Sequence, residues 1–412
     1  MPKINPFKPN SPVSAGMFAG RFTEIETLEK GLHQTKYNHP INFLITGERG
    51  IGKSSLLTYI KFLANGEITS PDYNVFNFLT VNIVISERTT LANLITLIEH
   101  TIKREVGKLE KIRNFLNETW SFVQRIKVMD SGIEQKNRTE DTDILLDDFV
   151  YSLSETCKRI TNPEKGEIHK DGIVFFIDEA DKSSQDLHIG YFFKLITEKL
   201  QQYDCNNIMF LVAGLPETIE KLSISHESSL RVFSDIKIKT LTVEDRHYVI
   251  EKGIESGNKI NKEPTSIADD AKNHISTLSE GYPHFIQQFA YSAFDFNTDG
   301  VISAEDVLSA AFDKNGALDA IGSRYYESSY YEQIKSDEYR QVLSIMADKM
   351  DSWIPKQEIK TRFTGSEQRF NNALQALTTR RIILRNSSKR GEYRLQQRGF
   401  ALWIMLFGKK EK

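Results

Sequence analysis

Gly47-Glu48-Arg49-Gly50-Ile51-Gly52-Lys53-Ser54 fills every fixed position of the pattern G-x-x-x-x-G-K-[ST], and no other stretch constrains this chain as strongly. Such a loop works only between a strand and a helix. The flanks supply both: Ile41–Thr46 is a short apolar strand, and Lys53 to Leu63 reads as a helix. The glycines let the backbone wrap phosphate oxygens closely, and a helix N-terminus offers unpaired N–H groups and a favourable dipole. In that setting Lys53 reaches the β- and γ-phosphates, the Ser54 hydroxyl ligates Mg²⁺, and Ser55 completes the first turn. The spacing is not G-x-G-x-x-G, so a dinucleotide fold is disfavoured. ATP and Mg²⁺ are the expected ligands.

A second signal lies at Ile173-Val174-Phe175-Phe176-Ile177-Asp178-Glu179. Five apolar residues in a row suit a strand buried on both faces, as in a parallel sheet. Strands often end in acidic turns, so the pair alone says little. Behind a phosphate loop it says more: Asp178 is expected to hold Mg²⁺, and Glu179 to orient and deprotonate the attacking water. Hydrolysis as well as binding is the expectation.

Further strands are read at Val75–Ile85, as a largely buried one, at Ile208–Ala213 and at Ile236–Ile238, with helical patterns between them. Strands alternating with helices argue for an α/β layered core with right-handed crossovers. Residues 111–142 read as an insertion, with an exposed excursion from Val128 to Thr142. Val243 to Phe294 is helical, and Asp337 to Phe407 forms a separate block. With 412 residues the chain calls for two or three domains. Its 39% hydrophobic and 26% charged residues suit a water-soluble protein. The longest apolar runs fall far below the ~20 residues of a membrane helix, so no membrane is expected and the cytoplasm is. Cys157 and Cys205 stand far apart without a C-x-x-C partner, which argues against a disulfide framework or zinc and for two packed, reduced thiols.

The ordered set of motifs resembles the AAA+/STAND branch of P-loop ATPases, and within it the initiator-like ATPases related to origin-recognition proteins. Phe18-Ala19-Gly20-Arg21 with Glu24, the phosphate loop, Ile177-Asp178-Glu179-Ala180-Asp181, Gly281-Tyr282-Pro283 and the C-terminal block carry the likeness, from about Phe18 to Phe407. The resemblance implies a fold in three parts: a P-loop core with a parallel sheet in the order 5-1-4-3-2, a helical lid and a winged helix. The domain boundaries are then 1–17 for a flexible tail, 18–240 for the core, 241–330 for the lid and 331–412 for the winged helix. It implies that Gly20 and Arg21 lie near the adenine, and that Arg231 serves as an arginine finger in a homo-oligomeric neighbour. Pro283 and His284 belong to its lid motif; His284 stands where initiators carry a γ-phosphate-sensing arginine. After the fourth strand nothing polar precedes Glu217 and Thr218, which points to slow turnover.

From Asp351 to Lys412 the chain holds 14 Lys and Arg against 5 Asp and Glu, a balance of +9 within a chain of net charge −3. Such asymmetry suits contact with a polyanion. In a winged helix the third helix enters a major groove while wing residues touch phosphates. Arg369, Asn372, Gln375, Arg380 and Arg381 are the candidates on that helix, with Lys389, Arg390 and Arg394 near the wing, and double-stranded DNA is the expected partner. The alternative is a signalling ATPase of a bacterial defence or regulatory system, whose winged helix docks on its own chain or on an effector protein. One further motif, Asp295-x-Asn297-x-Asp299-Gly300-x-x-Ser303, resembles a calcium loop. With Asp306 at the twelfth position and no paired loop, an ordinary loop-to-helix start is the expected reading.

Overall fold

A computed structural model describes residues 3–9, 20–70, 75–107, 110–124, 138–165, 167–327, 330–331, 334, 336–350, 352–380, 382–386 and 389–408, with side chains omitted at 138–142. They divide into two units, residues 21–239 and residues 1–20 with 240–412.

The first unit is built on five parallel strands: β1 (Asn42–Thr46), β2 (Leu79–Val84), β3 (Ile173–Asp178), β4 (Ile208–Gly214) and β5 (Phe233–Lys237). Their order is β2-β3-β4-β1-β5, the expected 5-1-4-3-2 read from the other edge. Register sets the functional ends side by side, with Val84 opposite Asp178, Ile177 opposite Val212 and Thr46 opposite both Gly214 and Lys237. β1 and β4 are buried along their whole length, and β3 up to Asp178, as uninterrupted apolar runs require. β2 departs from the expectation. It begins at Leu79, and being an edge strand it alternates, leaving Val84 64% exposed. β5 begins at Phe233, earlier than read from Ile236, because its pairing starts opposite Asn42.

One cluster of buried side chains joins the sheet to the helices Leu91–Val106, Arg138–Thr161 and Ile189–Gln202, through Ile98, Phe149, Phe192 and Phe210 among others. Part of the expected insertion at 111–142 packs into that core. Ile112, Leu116, Trp120 and Val123 belong to that core, and Trp120 Nε1 donates to Thr156 Oγ1 at 2.9 Å. The expected excursion lies mostly outside the described residues, but 138–142 continue a helix.

The second unit carries the helices Val243–Asn258, Asp269–Ser279, Pro283–Phe296, Ala304–Phe312 and Ala317–Tyr325. Thr242 with Asp245 and Ser303 with Asp306 form capping boxes at two of their starts. Residues 3–8, expected within a flexible tail at 1–17, are packed against the helices of this unit. Phe7 is buried over Gly253, where a Cβ would come within 2.2 Å of its ring, and Pro6 sits on Gly257. Asn5 Nδ2 donates to Tyr291 O at 2.9 Å and to Asp295 at 2.7 Å, and the Lys8 amide donates to Gln287 at 2.9 Å. From Asp337 the order is helix Asp337–Ala347, strand Ile354–Pro355, helices Lys356–Arg362 and Glu367–Thr379, strands Ile383–Arg385 and Glu392–Leu395, and helix Arg398–Phe407. The strands pair antiparallel with Glu392–Leu395 in the middle, the order of a winged helix. Tyr326, Tyr330, Phe400 and Trp403 form one aromatic cluster that packs helix Ala317–Tyr325 against helix Arg398–Phe407. Among the described residues no helix is long and apolar enough to cross a membrane.

Candidate nucleotide-binding site

The phosphate loop leaves the C-terminal end of β1 and turns directly into helix Lys53–Ala64. Gly50 (φ 78°) and Gly52 (φ 103°) take left-handed backbone angles that a side chain would strain. Gly52 is the N-cap residue and has no side chain to bond the first turn, so the N–H groups of that turn stay open for an anion. Glu48 is half-buried, Ile51 buried, Arg49 exposed, and Ser55 half-buried beside Ser54 on the first turn.

Lys53 Nζ folds back to donate to Gly47 O and Glu48 O, each at 2.8 Å. Burial pulls its ammonium below the ordinary lysine value, opposed by the charges of Asp178, Asp181, Glu48 and Glu217. Ser54 Oγ donates to Asp178 Oδ2 at 2.6 Å, so the two expected Mg²⁺ ligands, 124 residues apart in sequence, stand in contact. Asp178 Oδ1 accepts the Glu179 N–H at 2.8 Å. Glu179 has φ 57° and its carboxylate meets Lys182 Nζ at 2.7 Å, both side chains nearly half exposed. A hydroxyl and a carboxylate in contact at the head of an anion-binding helix are hard oxygen donors suited to Mg²⁺. The residues present fit that ion.

Arg21 is 5% exposed and donates through Nη2 to Ile51 O at 3.1 Å, with Glu24 at 3.7 Å from its other arm. It thus braces the phosphate loop. Gly20, the first described residue before it, has φ 67° and belongs to the second unit, where a Cβ would come within 2.4 Å of Asp245.

Two carboxylates were given no role in the sequence reading. Asp181 Oδ1 accepts the Leu215 N–H at 2.9 Å, tying the turn after β3 to the end of β4. Glu217 opens the next helix and adds negative charge around Lys53. The only available signal for either was its place within three residues of a strand end.

Arg231 lies elsewhere. It is exposed in the turn Ser229–Val232 at the start of β5, whereas the phosphate loop follows the end of β1, which β5 parallels. Five strand residues, about 16 Å, separate those edges. Among the described residues Arg231 makes no ion pair, and it lines a cavity of about 480 Å³ with Lys194, Glu198, Ser228 and Cys205.

In the second unit Pro283 is the first residue of its helix, and the His284 ring lies 4.8 Å from that of Tyr325. Gly281 (φ 80°) accepts the Leu241 N–H through its carbonyl at 2.9 Å, and Arg246 bonds Leu241 O and Ser276 O at 2.8 and 3.1 Å. The calcium-like loop turns its polar groups on itself. Asn297 Nδ2 donates to Asp299, Val301 O and Asp306, and the Gly300 N–H returns to Asn297 Oδ1.

The C-terminal block keeps much of its basic charge on local partners. Arg369 meets Glu338 at 3.1 Å, Lys389 meets Glu392 at 2.5 Å, and Arg394 lies 5.0 Å over the Trp353 ring. Arg380 sits over Tyr339 at 5.9 Å. Asn372 and Gln375 are exposed with Gln368 and Thr379 on one face of their helix, Arg390 is exposed at the wing, and Arg381 lies outside the described residues. Sequence reasoning missed Arg385, exposed on the first wing strand and 5.8 Å over Tyr393.

No protein-family model matches the chain, and neither does any curated protein sequence. Two solved structures of the Aeropyrum pernix ORC2 protein do, one as ADPNP–ADP complexes and one in the ADP form. Their TM-scores are 0.55 and 0.52 at 12% and 13% identity, with 95% of this chain and 93% of theirs covered in both. At that identity the likeness is one of architecture: the chain has the fold of the Aeropyrum pernix ORC2 protein.

Proposed function

We propose that the chain is an ATP-binding, slowly hydrolysing molecular switch that acts on double-stranded DNA through its C-terminal block. The contact of Ser54 with Asp178 at the head of the phosphate loop carries this reading. Lys53 exchanges its two loop carbonyls for the β- and γ-phosphate oxygens of ATP. Mg²⁺, when bound by Ser54 and Asp178, neutralises phosphate charge. Glu179 takes a proton from a water in line with the γ-phosphorus as the bond to the leaving ADP oxygen breaks. To do so it must leave Lys182, and with no neutral polar side chain before Glu217 the reaction is slow.

Arg231, far from its own chain's phosphate loop, serves a neighbouring subunit. His284 and Pro283 read the nucleotide from the helical lid. The aromatic cluster around Trp403 couples the lid to the C-terminal block, so a change in one moves the other. Gly20 and Arg21 flank the adenine side of the site.

The pairing of Arg369 and Lys389 with acids favours a second reading, a block that docks on protein in a partner-dependent signalling ATPase. Fluorescence anisotropy of labelled duplex DNA, at two salt concentrations with and without Mg-ATP, separates the two. Salt-sensitive, nucleotide-modulated binding that R385E/R390E abolishes supports DNA association. Absence of binding under every nucleotide condition refutes it.

A further inference from the structure

Cys157 and Cys205 share nothing in sequence, yet the fold brings them together. Cys157 lies on helix Arg138–Thr161 and Cys205 in the turn before β4, and both belong to one buried cluster at 1% and 5% exposure. The starts of β3 and β4 set the meeting point: Cys157 Sγ approaches Asn207 O at 3.7 Å, and the same carbonyl accepts the Ile173 N–H at 2.9 Å. The two thiols lie close enough for each to perturb the other's titration, and neither is in a disulfide. Cys205 also lines the 480 Å³ cavity at this edge, whereas Cys157 is not among its lining residues. Nothing in the proposed ATPase chemistry uses either.

We propose that Cys157 and Cys205 are a peroxide-modified dithiol, with Cys205 the attacking sulfur and Cys157 the resolving one. The two sulfurs are chemically unequal. Their mutual interaction holds the Cys205 thiol below its ordinary value against the effect of burial, and together with burial it pushes Cys157 up. The Cys205 thiolate attacks one oxygen of a hydroperoxide entering by the cavity. The O–O bond breaks, water leaves with one added proton, and Cys205 becomes a sulfenic acid. Cys157 sulfur then displaces the hydroxyl, losing its own proton to the departing water. Two thiols and one hydrogen peroxide thus yield one disulfide and two waters, the sulfurs oxidised and the peroxide reduced. The product ties helix Arg138–Thr161 to the base of β4 and closes residues 158–204 into a loop.

The full native chain is treated with hydrogen peroxide, then denatured, alkylated and digested. The expected result is a fall from two free thiols to none, with the Cys157 and Cys205 peptides joined and lighter by two hydrogens, and recovery on adding dithiothreitol. In C157S, dimedone labels Cys205; in C205S, Cys157 stays unlabelled. The wild-type arm decides the matter even where a variant fails to fold. Both thiols still free after treatment, disulfides joining separate chains, or dimedone on Cys157 in C205S would each overturn the assignment.

Discussion

Replacing Glu179 by Gln keeps the side chain's volume and its carbonyl oxygen while removing the group that takes the proton. A positioned general base contributes about 10²–10⁴ in rate, or about 3–5 kcal/mol of barrier. The opposing effect is the bond to Lys182 at 2.7 Å. With the two side chains 42% and 48% exposed, that pair is worth at most about 1 kcal/mol. Releasing it therefore changes the rate by no more than about fivefold. E179Q is expected to bind ATP with unchanged affinity and to release phosphate at least about a hundredfold more slowly. K182A is expected to be as fast as wild type or up to about fivefold faster. Single-turnover phosphate release, with affinity measured separately by a fluorescent nucleotide, reads both. E179Q turning over within threefold of wild type would refute the role of Glu179. A tenfold or greater loss in K182A would show that Lys182 acts on the nucleotide instead of restraining the base.

Arg21→Ala leaves the Ile51 carbonyl without its donor and is expected to cost about 1–3 kcal/mol, seen as a lower Tm and weaker ATP binding. Gly281→Ala places a Cβ 2.6 Å from Leu241 O at a φ of 80°, so thermal melting is expected to show a loss of at least about 1–2 kcal/mol. Asp147, bonded by Lys199 and Tyr203, titrates below the ordinary carboxylate range because the bound ammonium favours its charge. Its folded value is depressed, so its stabilisation is present above about pH 4 and lost as pH falls through the folded value. D147N is expected to flatten that acid limb in melts taken between pH 5 and pH 3.

The phosphate loop was legible because its chemistry forces a local sequence: Gly50 and Gly52 must take left-handed angles, and Lys53 and Ser54 must open the helix. The buried strands were legible where both faces are covered, as in β3 and β4, and misread at β2, whose edge position no residue announces. Most of the helix Glu110–Thr119 fell within the stretch read as an insertion, its charges outnumbering its apolar residues, yet Ile112 and Leu116 are buried in the core. Long-range partners were out of reach in principle. Cys157 with Cys205 depends on strand register, and Glu338 with Arg369 on how two helices pack. The net charge of a segment cannot say which of its cations remain free.

Residues 3–8 bond to partners as far as 290 positions ahead in the sequence. During synthesis they wait for their seat, since Gly253 and Tyr291 leave the ribosome some 250–290 residues later. At about 5–20 residues per second that delay lasts on the order of ten seconds to a minute. The intervening α/β unit has time to close before the helical unit does. Before Phe7 docks, the hollow over Gly253 stands open as apolar surface, a place where a chaperone or another nascent chain competes with the segment meant to fill it.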